Sequence, residues 1–457
     1  MTGVDVIGAG GVVVGPPPVS ALSAGGTLPK RTSVAIVGGG IIGVSTAFFL
    51  AQKGVPSLVC EKGRLAGEQS SRNWGWCRQA GRDPDELPLM LESIKLWRQL
   101  DSMVGGETGY RETGILQLCD TQGALQRCVA WQKYARAAQI ATDIVRPEKI
   151  PTLVGPTARR WAGALYSPSD GRAEPQLATT AIARAAQRAG AVVVENCAVR
   201  GIETSGGRVS AVVTEQGTVA CDAVVVAGGA WSRLFCGNFG VDLPALRVMT
   251  SVVKTAAVEG APECAAIGPG FAFRRASDNS YVISQANRNV ADVGPDSFKL
   301  LRAFSPVLRA RWRKLKLRFG SDAWAQWMTP RRWGLDDESP FERYRTLDPA
   351  PYKPFADEAV RNCADAFPVF RNVTIDRMWA GFIDVTPDVR PVISDVADVP
   401  GVYLSTGFSG HGFGLGPGAG KLTADLVLGD TPVVDARPFN FNRLCGAQMP
   451  RPSPLAV

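Results

Sequence analysis

The sequence predicts an α/β protein, α+β overall, in which a parallel sheet flanked by helices is interrupted by an antiparallel sheet and a basic helical insertion. Three observations predict this. Short, apolar, β-branched runs at 34–37, 222–227 and 401–406 each pass straight into a glycine cluster, as strands buried on both faces of a parallel sheet do. Between 246 and 380 the pattern changes to alternating segments such as 248–255 and 281–285, the signature of an antiparallel sheet with one face on a cavity. Within that stretch, residues 299–318 (KLLRAFSPVLRARWRKLKLR) carry eight basic and no acidic side chains, interleaved with leucines, Phe304 and Trp312.

The first strand opens a complete unit. In SVAIVGGGIIGVSTAFFLAQKGVPSLVCE (33–61), Gly38, Gly40 and Gly43 fall on the G-x-G-x-x-G spacing. Gly38 permits the tight turn, Gly40 lets the backbone approach a pyrophosphate, and Gly43 lets helix and strand pack closely. A helix over 41–53 aims its first N–H groups at that dianion. Gly54 ends it, and the strand 56–59 delivers Glu61, 21 residues after Gly40. A carboxylate there accepts the ribose hydroxyls of an adenosine and repels a 2′-phosphate. Strand, glycines, helix, strand and acid in register predict a Rossmann-like dinucleotide-binding domain.

Downstream, a Gly/Ser/Arg-rich loop carries Trp74 and Trp76, and helices are predicted over 89–103, 123–138 and 176–189. Strands are predicted at 113–118, 164–167 and 191–195, and a hairpin at 208–215 and 218–220. After the third glycine cluster, Pro417 marks the start of a helix over 417–428. The dinucleotide domain therefore recurs at 31–110, 165–245 and 377–445. A substrate domain of 111–164 and 246–376 is inserted, with the basic helical insertion at 295–333. Pro306 restricts the helix of that insertion to start near it.

Bulk properties exclude several classes. A net charge of +8 over 457 residues is modest, and no zinc-finger, RNP-like or helix-turn-helix signature accompanies it, so no nucleic-acid partner is expected. The ten cysteines are scattered without a C-x-x-C pair, which suggests reduced, structural thiols. A single histidine argues against a His-rich metal site, and no metal is expected. Residues 6–28 are uncharged but broken by Gly-Gly pairs and Pro16-Pro17-Pro18, which makes a poor membrane span. Without a basic N-terminal region to suggest a signal peptide, residues 1–30 read as a disordered leader, with a degenerate anchor as the alternative.

With these glycine elements in this order, the chain resembles the D-amino-acid-oxidase-like (DAO) FAD oxidoreductases. That family includes glycine and sarcosine oxidases, bacterial D-amino-acid dehydrogenases and membrane-associated L-amino-acid deaminases. The matching residues are 34–61, GEQSSRNWGW (67–76), VVVAGGAW (224–231) and GFSGHGFGLGPGAGK (407–421). ENCAVRGIET (195–204), GGAWSRLFCGNFG (228–240) and the segment 333–341 look similar to the deaminases. The resemblance covers nearly everything after residue 31.

The resemblance implies FAD contacts from Gly38, Gly40, Gly43 and Glu61, and from Lys62, Glu68, Ser70, Ser71 and Arg72 along the pyrophosphate and ribityl chain. It also implies Val199 at adenine, and Gly229 and Trp231 beneath the dinucleotide. Gly407, Gly410, His411, Gly412, Phe413 and Gly414 would follow the isoalloxazine. A solvated charge is the alternative for Arg72, and His411 reads as a base, a backbone cap or a tuner of the flavin. The G-L-R-P arginine of glycine-oxidase-like relatives is missing, since Gly381-Phe382-Ile383-Asp384 stands there. Arg288, just after a cavity strand, is therefore the first candidate for the substrate carboxylate, with Arg78 and Arg82 behind it. Trp74, Trp76 and Phe413 are candidates for the side-chain pocket or for core. Arg390-Pro391-Val392 stands where sarcosine-oxidase-like enzymes carry the flavin-attaching cysteine, so FAD is expected to be non-covalent.

The function implied is oxidative deamination of a free α-amino acid to a 2-oxo acid and ammonia, by hydride transfer from Cα to FAD. The N-W-G-W and G-H-G-F loops depart from the deaminase pattern and favour a D- over an L-amino acid. Residues 299–318 suit an interfacial helix, so peripheral contact with the cytoplasmic side of the membrane and a quinone or respiratory-chain acceptor are expected. A solvated basic helix in a cytoplasmic protein is the alternative. So are a soluble oxidase of the amino-acid or sarcosine/glycine type that releases H2O2, and a non-catalytic flavin-bound assembly protein.

Overall fold

Val34–Val37 is apolar throughout because both of its faces are covered. In the computed structural model, which describes residues 6–7, 11–22 and 26–446, this strand lies inside a six-stranded sheet. The order is Val192–Val194, Ser57–Cys60, Val34–Val37, Ala223–Val226, Val402–Thr406, Val392–Asp395. All neighbours are parallel except the last pair. Val34 and Ile36 pack into a helical layer with Phe48, Leu50, Ile182 and Leu422, whereas Ala35 faces a second cluster with Val212, Val219 and Val224. That second cluster is closed by the hairpin sheet Val199–Ser205, Arg208–Thr214 and Gly217–Ala220. The helix Ile41–Gln52 is buried from Ile41 to Ala51. It needs no polar stripe because it is wedged between the sheet and the helices Pro175–Arg188 and Gly412–Leu428.

The second layer is a twelve-stranded sheet among the described residues. Its long axis is Leu246–Ala257 paired antiparallel with Ile375–Val385, flanked on the other side by Ser280–Ser284 and Phe271–Arg275. The helix Lys353–Ala366 seals one face with Ala359, Cys363 and Ala366 against Phe271, Phe273, Tyr281 and Ile283. Two boundaries differ from expectation. Ile375–Val385, assigned above largely to the dinucleotide domain, belongs to this sheet, and so does the whole of Gly163–Ser167. Each alternates its side chains against strands of the second sheet, a long-range pairing that a local pattern does not reveal.

The leader is not free where it is described. Val13–Val14 adds a parallel strand beside Arg377 and Met378, Gly15 N donates to Met378 O at 2.9 Å, and Gly26 N donates to Val193 O at 2.9 Å. Exposed sheet edges accept extended backbone whatever its side chains, which corrects the reading of 1–30 as a disordered leader. Residues 1–5, 8–10 and 23–25 of it lie outside the described residues.

The basic insertion folds as Pro295–Lys299, Leu301–Arg311, the strand Leu315–Arg318 and the helix Ser321–Met328. Leu315–Arg318 runs parallel to Asn289–Asp292 and ties the insertion to the large sheet. Pro306 does not start its helix; it sits inside Leu301–Arg311. The Arg302 carbonyl, which a proline nitrogen cannot serve, accepts instead from Ser305 Oγ at 3.0 Å.

Candidate active site

A cavity of about 1480 Å³ opens at the glycine-bearing ends of the parallel strands and continues beneath the large sheet. At one end the backbone forms a cradle. Gly38 has φ of 112°, and a Cβ there would stand 2.6 Å from Ala227 O. A Cβ on Gly43 would stand 2.0 Å from Gly38 O, so this glycine serves helix–strand packing and does not line the cavity. Gly40 is the N-cap of Ile41–Gln52 and faces the cavity. Glu61 Oε2 accepts from Gly39 N at 2.7 Å and Oε1 from Gly63 N at 2.8 Å, while burial raises its pKa. Each oxygen keeps a lone pair for a ligand hydroxyl. Gly39 was not singled out in the sequence, yet a Cβ there would meet Leu65 Cδ2 at 2.3 Å.

The loop 62–72 does less at the cavity than expected. Ser70 Oγ accepts from Ile41 N at 2.9 Å and so caps the first helix at the cradle. Ser71 is buried and does not line the cavity, which corrects its assignment as a ligand contact. Arg72 reaches the wall, but its guanidinium binds Gly67 O, Ala380 O and Asp348. It is thus a strut between the two layers, with its guanidinium hydrogen-bonded within the protein. Lys62 pairs with Glu68 at 2.7 Å and lies 4.8 Å above the Trp231 ring. Burial pushes the Glu68 carboxyl up, but Lys62, with donors from Leu347 N and Trp231 Nε1, outweighs this and holds it below its usual value. Val199 lines the cavity with its backbone paired to Thr214. Gly229, at φ 50°, approaches the Gln69 amide so closely that a Cβ would stand 2.7 Å from it.

The last glycine loop wraps the opposite wall. Gly407 and Gly410 have φ of 72° and 88°. Gly407 N donates to Asp384 Oδ2 at 2.6 Å, and burial raises the Asp384 carboxyl to about 6. Asp384 thus links the large sheet to this loop, a role the sequence did not disclose. The following helix is Gly412–Leu428, not 417–428. Pro417 lies inside it, and the chain reversal at Gly410-His411 sets its start. Its first turn therefore reaches the cavity at Gly412 and Phe413. Gly407 and Gly414 do not line it; Gly414 O accepts from Ser93 Oγ at 2.7 Å and Trp97 Nε1 at 2.9 Å.

Between these walls, Trp74, Trp76, Arg78, Arg82, Gln285 and His411 converge. Trp74 Nε1, Trp76 Nε1, Arg82 Nη1 and Gln285 Nε2 are buried without a hydrogen-bond partner. All four are donors, and stranded buried donors are costly unless an acceptor meets them. The segment that carries the two tryptophans is tied to the large sheet. Arg274 binds Glu174 through Nη1 and Nη2 at 2.9 and 3.0 Å and donates from Nε to Trp74 O. Arg78 lies 5.9 Å from the Trp76 ring, and burial pushes its guanidinium down to about 10. His411 Nδ1 is 2.9 Å from Glu86 Oε2, itself fully buried. Arg288 does not belong here. It pairs with Glu358 at 2.8 Å and stacks at 4.5 Å over Phe355, outside the cavity, because a half-exposed carboxylate and a buried ring of the helix Lys353–Ala366 capture it.

A family profile described as "DAO: FAD dependent oxidoreductase" matches residues 33–426. The chain belongs to the DAO family of FAD-dependent oxidoreductases. FAD is its cofactor, and the glycine cradle, the helix start at Gly40 and the volume of the cavity suit it. Among solved DAO-like structures, L-amino acid deaminase from Proteus myxofaciens in complex with anthranilate is 34 % identical and superposes with a TM-score of 0.89. The match covers 94 % of this chain and 97 % of that one. The 4-methylaminobutanoate oxidase (formaldehyde-forming) of Paenarthrobacter nicotinovorans is 26 % identical over 431 residues, and the match spans 46 % of that protein. Sarcosine oxidase subunit beta of Arthrobacter sp is 25 % identical over 424 residues and is matched over 92 % of its length. For this DAO-family chain, the sequence disclosed the cradle but not Asp384, Glu86, Gln285 or the Glu174–Arg274 pair. None of these stands in a glycine motif, and only the fold brings them to the site.

Proposed function

We propose that this protein oxidatively deaminates a free α-amino acid, giving the imine that hydrolyses to a 2-oxo acid and ammonia. When bound, FAD supplies the acceptor for the hydride that leaves Cα. The cradle of Gly38, Gly40 and the first turn of Ile41–Gln52 takes the pyrophosphate, Glu61 the ribose, and the wall from Phe408 to Phe413 the isoalloxazine. One observation carries the substrate reading: four buried donors without hydrogen-bond partners, one of them on a cationic arginine, line the same cavity as that wall. A carboxylate satisfies them, and Arg82 with Arg78 supplies its counter-charge. Holding the carboxylate fixes Cα against the flavin, which is the main task left to the protein. Phe304, Val307 and Leu315 of the insertion line the far end of the cavity, where an apolar side chain fits.

Configuration is argued from two sides. The loop sequences favour a D-amino acid, whereas the full-length likeness to an L-amino acid deaminase favours an L-amino acid. The acceptor is proposed to be a membrane quinone, supported by the cationic insertion and its exposed aromatic rings. No helix among the described residues is long and apolar enough to cross a membrane, so the contact proposed is peripheral. The test is anaerobic bleaching of the bound flavin by a panel of D- and L-amino acids, glycine and N-methyl amino acids. Bleaching by one enantiomer of an apolar amino acid is expected. Bleaching by N-methyl amines alone would move the reading to the sarcosine type, and no bleaching by any amine would defeat it.

A further inference from the structure

The only histidine of the chain stands where the last glycine loop meets the cavity. His411 is the N-cap of Gly412–Leu428, lines the cavity and is 15 % exposed. Its Nδ1 lies 2.9 Å and 3.2 Å from the two oxygens of Glu86, at the end of the short 3-10 turn Pro84–Glu86. Glu86 is wholly buried and does not itself reach the cavity. A carboxylate aimed at one ring nitrogen takes that nitrogen's proton as a hydrogen bond and leaves the other nitrogen bare. The four stranded donors nearby supply hydrogen bonds but no acceptor, and an amino acid arrives with an ammonium group.

We propose that Glu86 is a positioning residue that fixes His411 as its Nδ1–H tautomer, so that Nε2 receives the proton the substrate ammonium must lose before Cα is oxidised. This rests on the amino-acid reading above. In the step, one N–H bond of the ammonium breaks and one N–H bond forms at Nε2. No electrons change hands; the substrate becomes the neutral amine, and the imidazolium stands against the Glu86 carboxylate until its proton returns to water in the cavity.

The charges around the pair are consistent with this. Burial lowers the His411 pKa, Arg82 and Arg78 lower it further, and Glu86 opposes them. Burial pushes Glu86 up, but His411, Arg82 and Arg390 outweigh it and keep it ionised. At neutral pH the imidazole is thus uncharged and able to accept. Since only the neutral ring accepts, flavin reduction should rise with pH through the His411 titration. Glu86→Gln should move that acid limb to lower pH, because the one group raising the His411 pKa is gone.

A single histidine makes the test direct. In full-length holoprotein labelled with ¹⁵N-histidine, one pair of ring signals is expected, with the proton on Nδ1, and Glu86→Gln should shift it towards Nε2. The same variant should slow anaerobic flavin reduction at least tenfold. A proton found on Nε2 in the parent protein, or a Glu86→Gln variant with unchanged tautomer and unchanged pH profile, would overturn the proposal while leaving the amino-acid reading intact. If no amine reduces the flavin of the parent protein, that reading fails and takes this one with it. Should Glu86→Gln not fold, His411→Ala decides: slowed reduction partly restored by added imidazole is expected. An unchanged rate, or a slowed rate that imidazole leaves unaltered, would count against the dyad.

Discussion

Two arginines that the sequence offered for the substrate carboxylate meet opposite fates, and their substitution separates binding from scaffold. Arg82 is 4 % exposed in its side chain, and its Nη1 makes no hydrogen bond but lies 4.0 Å from Glu86 Oε2; Arg288 is 42 % exposed and already paired with Glu358. Arg82→Ala should raise the amino-acid KM by the equivalent of about 2–5 kcal/mol, the cost of leaving a buried charge unpaired. Arg288→Ala should leave KM alone and change stability by no more than about 1 kcal/mol, as exposed ion pairs do. Steady-state kinetics on both variants would refute the assignment if the two effects were reversed. Asp384 offers a second measurement. Its carboxyl, raised by burial from 3.8 to about 6, binds its proton more tightly in the folded than in the unfolded chain. Its stabilising contribution is full below pH 4 and is lost as pH rises through 6, a change of about 3 kcal/mol. Asp384→Asn cannot titrate, so its stability relative to the parent should improve by up to that amount between pH 4 and 7. Urea unfolding at the two pH values would detect this, and a constant difference would exclude it.

The helix Gly412–Leu428 is glycine-rich for reasons of packing as much as of ligand binding. A Cβ on Gly416 would stand 2.8 Å from Ile41 Cγ1, and one on Gly420 2.3 Å from Ser45 Cβ, so these two face the helix Ile41–Gln52. Gly414 and Gly418 face the other way, towards Trp76 O and Leu89 O at 2.9 and 3.0 Å. Gly420→Ala should therefore destabilise by about 1–3 kcal/mol through overpacking, although alanine is the better helix former. Gly123, in Gln122–Ala137 with nothing within 4 Å of its would-be Cβ, is the control: Gly123→Ala should stabilise by about 0.4–1 kcal/mol. Thermal unfolding of the pair decides, and equal shifts would refute the packing account. Elements set by local chemistry were legible in this way. Val34–Val37 and Ile41–Gln52 lie within one residue of where strand pattern and glycine spacing place them. Elements whose limits depend on partners were not: Pro417 and Pro306 look like helix starts, yet both lie inside helices. The site divides along the same line. Gly38, Gly40 and Glu61 announce themselves by spacing, whereas Gln285 comes from a distant strand end and Glu86 meets the site only through His411, so both acquire meaning only in the fold. Arg288 misled because proximity to a cavity strand does not say which way a long side chain turns.

Over the whole molecule, charge and apolar exposure are concentrated in one place. The chain holds 50 basic and 42 acidic residues, and residues 299–318 alone carry eight basic and no acidic ones. The remainder is balanced at 42 of each sign, so the entire net charge of +8 resides in the insertion. The exposed apolar surface gathers there too: Phe298, Leu301, Trp312, Leu317, Phe319, Trp324, Trp327 and Met328 are among the exposed large hydrophobics, with only Val129, Leu177 and Tyr344 elsewhere among the described residues. A soluble surface disperses such groups, and their coincidence with cations matches an anionic bilayer surface, where each Lys or Arg contributes about 1 kcal/mol. Trp324 and Trp327 lie on one short helix, Ser321–Met328, and are 70 % and 54 % exposed. Replacing both with serine removes little packing, so melting temperature and flavin content should hold. Transfer of each ring from water to the interface is worth about 1.5–3 kcal/mol when complete. The double variant should therefore lose binding to anionic vesicles by more than tenfold in cosedimentation. Binding of the parent should weaken as salt rises and should fail on neutral vesicles. Unchanged cosedimentation of the double variant, or a parent protein that ignores anionic vesicles, would show that these rings meet something other than a membrane.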